Sequence, residues 1–207
     1  MPSEGDKVMY DKQLIAKKLR RWEKYMDNYS LPTWEEIPDF GLYMDQIITL
    51  LKRYLDYLPP DVQDGEVITA ATINNYVRKK IMPEPVKKRY YRIHVAYLIM
   101  ICSLKQTLSM NMISTMIPAD LPEDRLRETY TKYSQTLQRS GAAFVQDIRI
   151  MAGKILDHEP GDARMVEDTD ELVVAATAYS GYAKLLAEKL IALKGKKVED
   201  LDPEELI

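Results

Sequence analysis

Nine of the eleven prolines, Pro32, Pro38, Pro59, Pro60, Pro83, Pro85, Pro118, Pro122 and Pro160, fall between segments of helical periodicity. Proline has no backbone N–H to donate and clashes with the preceding turn, so each one ends or precedes a helix. No run alternates apolar and polar residues with β-branched enrichment, so little strand is expected. The chain reads as an all-α protein built from separate helices.

The apolar spacing locates them. Ile15, Leu19, Trp22, Met26 and Tyr29 form one stripe on a first helix from about Asp6 to Asn28, with Lys17, Lys18, Arg20, Arg21 and Lys24 away from it. The acids Asp11, Glu23 and Asp27 dilute that basic face, which favours packing over membrane or phosphate binding. After a Pro-containing connector, Leu42 to Tyr57 buries Ile47, Ile48, Leu51, Tyr54, Leu55 and Leu58. Thr69 is a good N-cap for a short helix that breaks at Met82-Pro83-Glu84-Pro85. Ile93 to Leu108 is apolar nearly all round, the mark of a core centre, and Ser109 caps one more turn to Ile117. Beyond Pro118, Asp120 and Glu123 suggest a capping box for a helix running to about His158, ended by Pro160-Gly161. Asp168 and Glu171 repeat that pattern before a last helix to Lys194, whose Leu172, Ala176, Tyr179, Ala183, Leu186, Leu190 and Leu193 alternate by four and three. That is the seam of a helix pair or short coiled coil.

Several function classes find no residues. One cysteine, Cys102, excludes an intrachain disulfide, and with His94 and His158 it leaves too few ligands for a Cys/His zinc site. His94 and Cys102 read as packed core residues, His158 as a helix end. No glycine loop for phosphate, no nucleophile beside a base and no paired catalytic carboxylates are present, so neither an enzyme nor a cofactor is expected. The longest apolar run is too short to cross a bilayer and the N-terminus lacks a signal-like stretch, which places the chain in a reducing cytoplasm.

The charge distribution says more than the net value of −3. Between Thr69 and Gln106 lie Arg78, Lys79, Lys80, Lys87, Lys88, Arg89, Arg92 and Lys105 against Glu84 alone, +7 in an otherwise acidic chain. A basic segment of this kind suits a polyanion. On the short helix Ile73, Tyr76 and Val77 face inward by spacing, while Ala71, Asn74, Asn75 and Arg78 share the other face. Amides and a guanidinium on one helix face can read base edges, Asn pairing with adenine and Arg with guanine.

The run Ile68-Thr69-Ala70-Ala71-Thr72-Ile73-Asn74-Asn75-Tyr76 with Ile81-Met82-Pro83-Glu84-Pro85 resembles the recognition helix and exit of MerR-type winged helix-turn-helix regulators. Lys87-Lys88-Arg89 and Tyr90, then Val95, Leu98 and Ile99, resemble the wing and the helix after it, and Leu108 to Ile113 the closing turn. Leu31 to about Ile117, with Leu31-Pro32-Thr33-Trp34 and Tyr43-Met44-Asp45-Gln46-Ile47, is similar to a bacterial family described only as a domain of unknown function (number eighteen thirty-six). The chain departs from the MerR pattern in its long 57–67 connection, in Lys80 where that pattern has Gly, in a short wing without Gly, and in Tyr91 at the cap position.

The resemblance implies a MerR-like core over 31–118. It would be preceded by an amphipathic helix (1–30) and followed by a long C-terminal helical hairpin serving as a dimerisation or effector region (119–197) and an acidic tail (198–207). The expected function is sequence-specific binding of double-stranded DNA by a homodimeric transcriptional regulator, with no membrane or metal partner and the question of an effector open. The DNA-facing residues would be Thr69, Ala71, Thr72, Asn74, Asn75, Arg78, Lys79, Lys87, Lys88, Arg89 and Arg92. The alternative is an all-helical protein-interaction module on a repurposed helix-turn-helix core.

Overall fold

The structure, a computed structural model, describes residues 10–58, 68–157 and 164–195. Among them are eight helices and no strand, only two isolated β-bridges. The helices are α1 (Lys12–Asn28), α2 (Met44–Tyr54), α3 (Ala70–Arg78), α4 (Arg92–Leu104), α5 (Met110–Met116), α6 (Glu123–Met151), α7 (Gly153–Leu156) and α8 (Thr169–Ala192). Two compact units form. Of the described residues, one takes those up to Ser30 with those of Thr136–Gly181, the other those of Leu31–Gln135 with those of 182–195.

In the unit that begins at Leu31, α4 is the centre. Every residue from His94 to Ser103 is buried, as a helix apolar on all sides requires. Cys102 is among them, and burial pushes its thiol up to about 12, leaving an inert small hydrophobe. α2 packs on α4 and α3, burying Ile47 and Leu51. Ser109 caps α5 as its position suggested, its hydroxyl accepting from the Met112 N–H. The first turns of α6 belong to this unit as well. Leu126 and Tyr130 are buried, the Tyr130 hydroxyl donates to the Pro32 carbonyl at 2.7 Å, and its ring lies 6.1 Å from that of Trp34. Residues up to Gln135 therefore pack with the segment after Leu31.

Asp120 is not the cap of α6. The helix starts at Glu123, and the Pro122 carbonyl accepts its first bond, from the Leu126 N–H at 2.9 Å. Nor does the helix reach His158. Ala152 leaves helical geometry (ψ 12°), α7 adds a single turn, and Asp157 ends it in the left-handed region (φ 57°). His158, Pro160, Gly161, most of the 57–67 connection and the acidic tail lie outside the described residues.

The other unit is built on the α1 stripe. Ile15, Leu19 and Trp22 pack on a core of Ala16, Ile148, Met151, Ala152, Ile155, Leu156, Val166 and Leu172, and Trp22 meets Phe144 edge to face at 6.0 Å. Arg20 donates to the Leu156 carbonyl at 2.8 Å, satisfying the C-terminal end of α7, and Arg149 pairs with Asp27 at 2.8 Å. Asp168 caps the start of α8, accepting from the Glu171 N–H at 2.9 Å; the Glu171 carboxylate turns back to the Glu167 N–H. Of the expected seam on α8, Leu172 is used in this core, whereas Tyr179, Leu186, Leu190 and Leu193 are exposed.

Candidate nucleic-acid interface

Helix α3 is fixed at both ends by local chemistry. The Thr69 hydroxyl accepts from the Thr72 N–H at 3.1 Å and lies 2.7 Å from the Thr72 hydroxyl, so both threonines serve the cap. At the other end the Lys80 N–H bonds the Val77 carbonyl (2.9 Å) and the Ile81 N–H bonds the Tyr76 carbonyl (3.0 Å). This is a Schellman ending, with Lys80 left-handed (φ 54°) where glycine is the easy choice. Ile81 and Tyr76 are both buried, giving the apolar contact that accompanies such endings.

The helix faces agree with its periodicity. Ile73 and Tyr76 are buried and Val77 half-buried; Ala71, Asn74, Arg78 and Lys79 are exposed, and Thr72 and Asn75 are intermediate. Asn75 is not idle. Its Oδ1 accepts from Arg78 Nη2 at 2.8 Å, one turn along the same face.

Past the buried Ile81 and Met82, the chain makes a two-residue hairpin. Val86 and Arg89 exchange both backbone bonds at 3.0 and 2.9 Å, and Lys87 and Lys88 between them have φ of 50° and 63°. Two consecutive positive values are the signature of a type I′ turn, which asparagine and glycine normally occupy. Both lysines are exposed. Tyr90 then bridges to Leu42 with two 2.8 Å bonds, tying the hairpin to the chain entering α2.

Arg89 and Arg92, by contrast, are engaged with the protein. Arg89 lies over the Tyr43 ring at 4.4 Å and bonds its hydroxyl at 2.7 Å and the Gly41 carbonyl at 3.3 Å. A Cβ at Gly41 would come within 2.9 Å of two Arg89 side-chain carbons, so glycine permits the approach. Arg92 donates to the Ile37 carbonyl at 2.9 Å, near Asp39 at 3.9 Å, and holds the connector before α2. Below it, buried His94 accepts from the Tyr91 N–H through Nδ1 (2.9 Å), which leaves Nε2 to donate to the Glu84 carbonyl (3.0 Å). Burial holds its imidazole below the ordinary value, in the neutral form that this arrangement needs.

Of the eleven positions read from the sequence, seven are thus exposed (Ala71, Asn74, Arg78, Lys79, Lys87, Lys88 and Arg89), and Thr69, Thr72, Asn75 and Arg92 are intermediate. The sequence names Tyr43 only within a family motif and gives no sign of Gly41, because the roles of both depend on a partner nearly fifty residues away. It noted Lys80 as a substitution for glycine, a signal that the left-handed geometry explains.

Among the described residues no cluster of His, Cys, Asp and Glu could hold a metal ion, and no helix is long and apolar enough to cross a membrane. No curated protein and no solved structure matches the chain. The unit just described, however, coincides over residues 32–135 with the sequence pattern of one family, and on that match the chain belongs to the family described as Domain of unknown function (DUF1836).

Proposed function

We propose that this protein binds double-stranded DNA through a MerR-like winged helix-turn-helix core, as a homodimeric transcriptional regulator of the cytoplasm and not as an enzyme. The observation that carries the reading is the choice of residue at the strained positions. Lys80, Lys87 and Lys88 are three of the four non-glycine residues with positive φ among the described residues. A left-handed position is costly for a side chain and easy for glycine or asparagine. Lysine at all three puts positive charge where folding alone asks for none, and strain of this kind collects at functional sites. In this reading α3 enters the major groove with Asn74 and Arg78 toward base edges, and Lys79, Lys80, Lys87 and Lys88 contact phosphates.

Affinity for duplex DNA measured across a salt series tests it. Each phosphate-contacting lysine adds about 0.9 to the slope of log affinity against log salt, so replacing Lys87 and Lys88 with alanine should lower the slope by about two. An affinity independent of salt refutes the reading.

Dimerisation has its own support. Tyr182, Leu185, Leu186 and Leu190 on one side of α8, with Leu193 just past its end, are 44–71% exposed. Together they offer on the order of 500 Å² per copy, so a pair would reach about 1,000 Å², the lower edge of a specific interface. Light scattering of Leu186→Glu/Leu190→Glu against wild type checks this: the variant should be monomeric and the wild type a dimer. The same exposed face favours the second reading, a protein-interaction module, which predicts no DNA selectivity at all.

A further inference from the structure

We infer that Asn75 is a positioning residue for Arg78 and reads no base itself, so that α3 presents a single guanine-selecting guanidinium held ready by its neighbour. The inference rests on the DNA-binding reading above and deepens it by assigning the site's chemistry. Two neighbouring amides, Asn74 and Asn75, look equivalent in sequence, but the structure separates them. Asn74 is exposed, whereas Asn75 is half-buried and its Oδ1 is 2.8 Å from Arg78 Nη2.

To read adenine, an asparagine must present its carbonyl and its amide NH₂ side by side to N6 and N7. The Asn75 carbonyl is turned along the helix to the guanidinium instead. Arg78 has donors to share. Five N–H groups leave a fork after one Nη2 hydrogen is given to Asn75, and a fork is what the O6 and N7 acceptors of guanine require. An arginine on a long flexible stem loses rotamer freedom when it docks, and a partner that already orders the head reduces that loss. Val77 between them is half-buried and Arg78 is the last residue of α3, so the pair occupies the exposed final turn.

The experiment compares base preference, by selection from random duplexes and by competition, for wild type, Asn75→Ala, Asn75→Asp, Arg78→Ala and the Asn75→Ala/Arg78→Ala double variant. Arg78→Ala should lose about ten- to a hundredfold of discrimination, at one guanine. Asn75→Ala should relax the same base pair more weakly, and the double variant should match Arg78→Ala alone. Asn75→Asp keeps an acceptor for the guanidinium but loses the amide donor. It should therefore retain the guanine preference while overall affinity falls from the added negative charge. Relaxation at a second base pair, additive with Arg78→Ala, overturns the inference, as does loss of preference in Asn75→Asp. A wild type that binds duplex with no base preference overturns both this and the reading beneath it. Because neither side chain is buried, all the single variants should melt with wild type, and Asn75→Asp supplies the answer if Asn75→Ala does not.

Discussion

Replacing Lys80 with glycine should make the protein more stable and a weaker DNA binder. The Schellman ending places Lys80 at φ 54°, with its N–H on Val77 and the next N–H on Tyr76. A side chain in the left-handed region costs about 1–2 kcal/mol relative to glycine, because Cβ crowds the following carbonyl. Glycine returns part of that gain, roughly 0.5–1 kcal/mol, through its greater freedom in the unfolded chain. The net expectation is a stabilisation of about 0.5–1 kcal/mol, or a rise in melting temperature of about 1–4 °C. Lys80→Ala removes the same charge but keeps a Cβ, so it should show no such gain. The two tryptophans make the assay local: in a Trp22→Phe background, urea unfolding read by fluorescence reports on buried Trp34, which lies in the same unit as Lys80. Both variants should lower the salt slope of DNA binding by about 0.9. A lower urea midpoint for Lys80→Gly, or an equal rise for Lys80→Ala, would refute the strain argument.

Two tyrosines of this unit should respond oppositely to loss of the hydroxyl. Tyr130→Phe strands the Pro32 carbonyl in the core and should cost about 1–2 kcal/mol, whereas Tyr76→Phe removes a buried hydroxyl that has no partner among the described residues and should be neutral or stabilising by up to about 1 kcal/mol in the same urea assay. The pH dependence follows from His94, which is held neutral in the fold. Its contribution is fully present above the ordinary imidazole value of 6.5, declines as the unfolded chain takes up the proton below it, and is lost once pH falls through the lower folded value. Stability should therefore drop between neutral and mildly acid pH, and His94→Gln, measured over the same range, should flatten that drop.

Helix content was legible because apolar spacing and capping residues are local. Thr69, Ser109 and Asp168 all cap where their positions suggested, since a cap needs only the next three residues. Asp120 failed because Pro122, closer to the helical run, supplies the first acceptor through its own carbonyl. The break at Ala152 carries no proline, and Gly153 beside it is a weak signal because an isolated glycine is tolerated within a helix. The split of α8 was equally hidden: Leu172 and Leu186 look alike in a heptad, and only the position of Val166 and Met151 in space draws the first into a core. On the candidate site, the outward face of α3 could be read from a period of three and four. The hairpin turn could not, because two lysines carry none of the residue preferences of a type I′ turn. Arg89 and Arg92 read as free charge for the same kind of reason. Their partners, Tyr43, Gly41, Ile37 and Asp39, are about fifty residues back along the chain.

The contact of Arg89 with Gly41 also constrains how sequences in this family can drift. The Arg89 methylenes occupy the volume that a methyl group at position 41 would need, and the Leu42–Tyr90 bridge beside them prevents the two backbones from separating. Positions 41 and 89 should therefore change together. A relative with alanine or serine at 41 should carry glycine at 89, because any other residue there keeps the Cβ that lies 2.9 Å from the added carbon, and should then lose the cation from the face of Tyr43. In that lineage the ring at 43 becomes free to change as well, so a single glycine governs two further positions, one beside it and one in a distant stretch of chain.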